Sequence, residues 1–169
     1  MPRPAPPRRA LAPLAPLAGA ALLAAALGGT PPVRAQALKG NFSVYMVHTV
    51  LCYNAMDTAY VFDQLKKQVG PPYKRDQGAY WWKVNLSIQG VPATELFVAE
   101  PSATYQFVGA LLDQSPKEAA PTLNAKGPAF RAQQTANPYS PLASATGSTL
   151  LWQDKKGKLA CARKTDPGL

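Results

Sequence analysis

Histidine occurs once in this chain, at His48, and cysteine twice, at Cys52 and Cys161. A single imidazole excludes a zinc site built from several histidines. Two widely separated cysteines exclude the close thiol spacing of metal fingers, dithiol redox motifs and haem attachment. Acidic residues are scarce, nine Asp and Glu against eighteen Lys and Arg, and they are dispersed singly, so no carboxylate pair for acid–base chemistry stands out. No glycine-rich loop has the spacing that cradles phosphate. A serine or cysteine nucleophile would have to borrow His48 as its base, and His48 lies in an apolar stretch. With no catalytic constellation in view, a binding role is favoured over an enzymatic one, and no cofactor is implied.

Long hydrophobic runs are also absent, with one exception. Met1 to Arg9 carries Arg3, Arg8 and Arg9, the uncharged Ala/Leu-rich stretch from Ala10 to Gly29 follows, and Ala35-Gln36-Ala37 then places small residues two apart. Basic start, apolar middle and small-residue exit are the parts of an export signal, here expected to be cleaved after Ala37. A membrane anchor is the competing reading, but Pro13 and Pro16 interrupt the run and alanine is only weakly apolar. Arg8-Arg9 raises the twin-arginine route; without further support, general secretion is the simpler expectation. Residues 1–37 are therefore read as a signal peptide and 38–169 as one exported domain, in the periplasm or secreted, with no stable membrane insertion after cleavage. Four arginines leave with the signal, so the formal charge of +9 drops to +5. That remainder is scattered, and nothing in it outlines a nucleic-acid footprint.

In an oxidising compartment an even pair of cysteines reads as a disulfide, Cys52 to Cys161. Among the residues that are present in force, Ala79 to Gly90 is the most informative stretch. Tyr80, Trp82, Val84, Leu86 and Ile88 alternate with Trp81, Lys83, Asn85, Ser87 and Gln89, the pattern of a strand with one face on a core. Thr94–Ala99 continues it as a hairpin. Leu51, Ala55, Thr58, Phe62, Leu65 and Val69 step by three and four, predicting one amphipathic helix ended by Gly70-Pro71-Pro72. The preceding segment, 41–50, fits strand or helix equally. Tyr73–Gly78 reads as a polar loop, and Ser102 as the cap of a second helix reaching Asp113. Residues 114–147, rich in proline and small polar residues, read as a long flexible insert in which Phe130 and Tyr139 either pin the loop or meet a partner. A C-terminal hairpin turns at Asp154-Lys155-Lys156-Gly157, with Gly157 expected to supply positive φ.

The fold class that follows is α+β: a small antiparallel sheet, made of the central and C-terminal hairpins, packed by an amphipathic helix, with a long insert and one disulfide. Trp81 on the outward side of its strand, among polar side chains, could stack a sugar ring or anchor a protein contact. Trp81, Lys83 and Asn85, with Tyr139 on the insert, are the candidate binding residues. Their partner would be another envelope protein or a cell-surface polymer, with the chain acting as an inhibitor, an immunity or accessory protein, or an assembly adaptor. Two alternatives belong to other classes. Met46, His48, Cys52 and Met56 offer the soft thioether, imidazole and thiolate donors that copper(I) selects, with His48, Cys52 and Met56 falling on one face of a continuous helix. A small cell-wall hydrolase would need His48 or a carboxylate pair displayed in a pocket.

Overall fold

The structure is a computed structural model that describes residues 34–133 and 139–164. The proposed signal segment lies almost wholly outside the described residues, as does part of the insert. The element order is β1 (Gln36–Ala37), α1 (Asn41–Val50), α2 (Thr58–Gln68), β2 (Lys74–Asp76), β3 (Ala79–Ile88), β4 (Val91–Ala99), β5 (Tyr105–Leu112), α3 (Pro116–Lys126), β6 (Arg131–Ala132), β7 (Leu142–Ala143), β8 (Ser148–Gln153) and β9 (Lys156–Lys164).

Among these residues nine strands share one sheet in the order β1-β3-β4-β5-β9-β8-β7-β6, with β2 also on β3. All pairings are antiparallel except β1 with β3, where Gln36 meets Val84 and Ala37 meets Asn85. The sheet is larger than the two expected hairpins because five further strands, β1, β2, β5, β6 and β7, join it. Lys74–Asp76 is a strand and not a loop: Gln77 and Gly78 both take positive φ, the geometry of a two-residue hairpin turn. Gln89 and Gly90 do the same between β3 and β4, so Val91 and Pro92 belong to the strand and not to the turn.

Residues 105–112 form β5, where a helix is predicted from Phe107/Leu111 and Val108/Leu112. Those spacings fit a helix, but Val108, Ala110 and Leu112 also alternate inward, and pairing with both β4 and β9 decides for the strand. Gly109 is what lets this strand sit centrally. A Cβ there would lie 2.1 Å from Phe97 Cζ and 2.6 Å from the Leu159 carbonyl oxygen, so only glycine admits the Phe97 ring.

The inward side of β3 is as the alternation predicts, with Trp82, Val84, Leu86 and Ile88 buried and Tyr80 half-buried. In β4 the inward set is Val91 and Ala93, then Leu96 and Val98; a register shift between Ala93 and Glu95 absorbs the extra residue and keeps both halves facing the core. Burying each such side chain contributes roughly 1.5–3 kcal/mol. All three helices cover this one face, α1 against β3, β5 and β9, α2 against β4 and β5, and α3 against β4, β8 and β9.

The helix expected over Leu51–Val69 is two helices. Segment 41–50 is the first of them, burying Phe42, Met46 and Val50 one turn apart. It ends in a Schellman motif: the Cys52 amide donates to the Thr49 carbonyl and the Tyr53 amide to the His48 carbonyl, with Cys52 at φ +58 in the position glycine usually takes. Asp57 then caps α2, its carboxylate accepting from the Tyr60 amide at 2.9 Å. The apolar stripe survives the break because Val61 and Leu65 still face the sheet. Gly70, at φ +101, follows the last turn, and its carbonyl accepts from Trp82 Nε1 at 2.9 Å.

Nor is 114–147 wholly a loop. Ser115 and Glu118 form a capping box, Pro116 occupies the first turn where its missing amide costs nothing, and α3 runs to Lys126 with Ala119, Ala120 and Leu123 buried. Phe130 is buried, its amide held by Asn124 Oδ1 at 2.7 Å, so it pins the chain to the body. In the C-terminal hairpin it is Asp154, at φ +55, that supplies the positive φ. Gly157 lies in β9 instead, where a Cβ would meet the Gln114 carbonyl and Leu150 at 3.1 Å.

The disulfide joins Cys52 and Cys161, with Cα atoms 5.3 Å apart. It ties the loop between α1 and α2 to β9.

Candidate functional site

The sheet face opposite the helices carries a second, smaller cluster, with lysine side chains over its rings. Trp81 stacks at a tilt on Phe97 with centroids 4.7 Å apart, Phe97 meets Phe107 at 6.0 Å, and Ala79, Ala160 and Tyr73 complete the group. Strand pairing explains the arrangement: Trp81 lies opposite Phe97, Phe97 opposite Gly109, and Gly109 opposite Ala160, so two small residues leave room for the rings.

Trp81 is only 3% exposed, where the alternation predicts an open indole. Among the described residues neither a helix nor the insert covers it. Lys74 from β2 and Lys158 from β9 reach across, their ammonium groups 4.4 and 5.3 Å from its ring centroid, and Trp81 Nε1 donates to the Asp76 carbonyl at 3.2 Å. Lys158 also stands 4.8 Å from the Phe97 centroid. Burial pushes the Lys158 ammonium below the ordinary lysine range; Asp76 opposes this and the Lys74 charge adds to it.

Beside this cluster Glu95 is buried and doubly held. Lys83 forms an ion pair with Oε1, and the Tyr73 hydroxyl donates to Oε2 at 2.6 Å. Burial, with that carboxylate next to it, raises the Tyr73 hydroxyl above its usual range. A recess of about 390 Å³ opens here, lined by Tyr73, Lys74, Trp81, Glu95 and Leu111 and by Gln153 to Lys156.

The predicted binding residues do not form one group. Trp81 and Lys83 share the outer face, and Asn85 is exposed further along the same strand. Tyr139, 67% exposed, packs edge-on against Trp152 at 5.4 Å, beside a different recess formed by α3 residues Lys117, Pro121 and Asn124 with Ser140 and Trp152. Lys74, Lys158, Tyr73 and Glu95 are the outer-face residues that the linear pattern misses. Two of them, Tyr73 and Lys74, sit next to or on a strand hidden in a charged segment; Gln77-Gly78 as a two-residue turn is the signal that could have exposed it.

The copper donor set is scattered. Cys52 is committed to the disulfide, Met46 is fully buried under the sheet, and the break after α1 takes Met56 off the His48 face. His48 is exposed, its ring edge-on to Tyr53 at 5.8 Å, and it lines neither of these two recesses. Among the described residues no three His, Cys, Asp or Glu side chains are grouped for a metal ion, and no helix is long and apolar enough to cross a membrane.

One ion pair on the sheet margin gives a pH prediction. Arg75 Nε donates to Glu100 Oε1 at 2.6 Å and its second nitrogen to the other oxygen, a bidentate bond that holds the Glu100 carboxyl below its usual range. A carboxyl lowered in the folded state contributes stability above its unfolded value, about 4.3, and loses it as pH falls through the folded value. Arg75→Ala is expected to flatten the decline in stability below about pH 4.3, read from urea midpoints across an acid series; an unchanged decline would remove the pair from the account.

The chain matches no protein-family model, and comparison with curated proteins and with solved structures finds no match.

Proposed function

We propose that this chain is an exported, non-catalytic binding module whose partner, an envelope protein or a surface polymer, is received on the outer face of the sheet at Trp81, Lys83 and Asn85. The observation that carries the reading is the aromatic cluster around Trp81, held under lysine side chains on the one sheet face that no described helix covers. Large aromatic groups bordered by cations are what interface centres favour. The disulfide supports an oxidising compartment, as does the basic-then-apolar N-terminal segment. Tyr139 and Trp152 form a separate surface that a large partner would reach from the sheet's helical side.

Trp81 is buried, so its removal would mix folding with binding; Lys83 and Asn85 make the cleaner test. A Lys83→Ala/Asn85→Ala double variant is expected to lose thermal stability, because buried Glu95 loses its cation, yet to stay folded at the assay temperature while capturing about tenfold less partner from envelope extracts, the loss of one charged hydrogen bond or more. Equal capture by the folded variant would end this reading.

A further inference from the structure

We propose that the outer face binds an acidic glycan, with Lys158 and Lys74 receiving a sugar carboxylate above Trp81 and the adjoining recess seating the sugar ring. The inference rests on the binding-module reading and names its ligand class.

Three observations point to an anion at this place. First, two ammonium groups are drawn over a single indole from different strands, one at 4.4 Å and the other at 5.3 Å from its centroid. Both carry positive charge, and an anion arriving at this ring would be attracted by both. Second, three of the lysines nearby pair with carboxylates: Lys74 with Asp76, Lys83 with Glu95 and Lys156 with Asp113. Lys158 is half-buried on Trp81 and Phe97 with no carboxylate within ion-pair distance among the described residues, so its desolvation is offset only in part, by the ring faces and by Asp76 further off. Third, a recess of about 390 Å³ lies alongside, within the roughly 300–1,000 Å³ of small-ligand sites.

The lining decides between an acidic sugar and an acidic peptide. Glu95 and Asp154 offer acceptors, Gln153 offers both donor and acceptor, and Tyr73 and Leu111 offer apolar surface. Sugar hydroxyls use that mixture, and the C–H side of a pyranose suits the apolar part. A run of peptide carboxylates brings no hydroxyls with which to use those acceptors. Nor would a peptide backbone find an open ladder beside Trp81, because β2 already pairs with β3 there.

The test is calorimetric titration of the intact disulfide-bonded protein with three probes, an oligogalacturonate, an alginate oligomer and hyaluronate, alongside methyl-esterified oligogalacturonate and polyglutamate. At least one acidic glycan is expected to bind. Esterification, Lys158→Met and Lys158→Gln should each weaken that binding about tenfold or more, the scale of a charged hydrogen bond. Lys164→Met, at the exposed end of β9, should leave it unchanged. Bound carboxylate should also raise the Lys158 ammonium titration followed by NMR, and Lys158→Met should not lower the thermal midpoint, since methionine keeps the packing without the buried charge. Absence of binding to all three glycans at millimolar concentration overturns the proposal, as does equal binding of the ester or of polyglutamate. If the glycans fail while Lys83→Ala/Asn85→Ala still loses its partner, the binding-module reading stands without this ligand. If both fail, the two fall together.

Discussion

Reducing the Cys52–Cys161 bond is expected to remove about 4–5 kcal/mol of stability on the chain-entropy argument, against a total of about 5–15 kcal/mol for a domain of this size. The figure is large because the two cysteines are 109 positions apart, so the cross-link removes a great deal of freedom from the unfolded chain and little from the folded one. The location adds to the effect. Cys161 is fully buried in β9, between β5 and β8, and Cys52 sits at the left-handed end of α1, where a side chain tolerates its backbone only at some cost. The measurement is urea unfolding of oxidised protein, reduced protein and a Cys52→Ala/Cys161→Ala variant. Both bridge-less forms should unfold at markedly lower urea. If all three midpoints coincide, the bridge contributes nothing and the two ends of the chain are held by packing alone. A Cys52→Gly variant, paired with Cys161→Ala, should recover part of the loss, because glycine adopts the left-handed cap without strain.

Trp82→Ala is expected to cost about 3–5 kcal/mol, the range for deleting a large buried aromatic. Trp82 is 1% exposed on the central part of β3, edge-on to Phe62 of α2 at 5.5 Å, and its indole nitrogen binds the Gly70 carbonyl just past the end of that helix. Removing it opens a cavity between helix and sheet and orphans a carbonyl at the same time. Trp82→Phe separates the two contributions: it retains an aromatic ring and should lose about 1–3 kcal/mol, the cost of leaving a buried polar group unpaired together with the smaller ring. Chemical denaturation with near-ultraviolet circular dichroism reads both. A loss under about 1 kcal/mol for Trp82→Ala, well below the deletion range, would mean the helix–sheet interface is organised elsewhere.

How much of this was legible in the linear chain depends on how local each cause is. The inward row Trp82, Val84, Leu86 and Ile88, the C-terminal hairpin and the cysteine pair follow from alternation, turn chemistry and parity, all of which act within a few residues or through one covalent rule. The split between α1 and α2 is less visible, because the apolar period runs through it and the terminator is a cysteine in the left-handed region where glycine is the usual signal. Tyr105–Leu112 is the clearest miss. Its spacing satisfies both a helix and a strand, and only partners on both sides, β4 and β9, settle the matter. The outer-face site is harder still, since Lys74, Trp81, Phe97 and Lys158 come from four strands.

What the sequence determined alone is therefore the side of β3 that faces inward, the covalent tie, the basic and histidine-poor composition that narrows the chemistry, and the positions of most stops and turns. These depend on side-chain period, backbone sterics and bonding capacity, which a residue carries wherever it is placed. Tertiary structure decided which segments became strands, how three helices came to cover one face, and that Trp81 lies beneath two lysines instead of open to solvent. Those outcomes depend on which groups distant in the chain are brought within a few ångströms, and hydrogen-bond ladders, ring contacts and charge repulsion have no strength until that has happened.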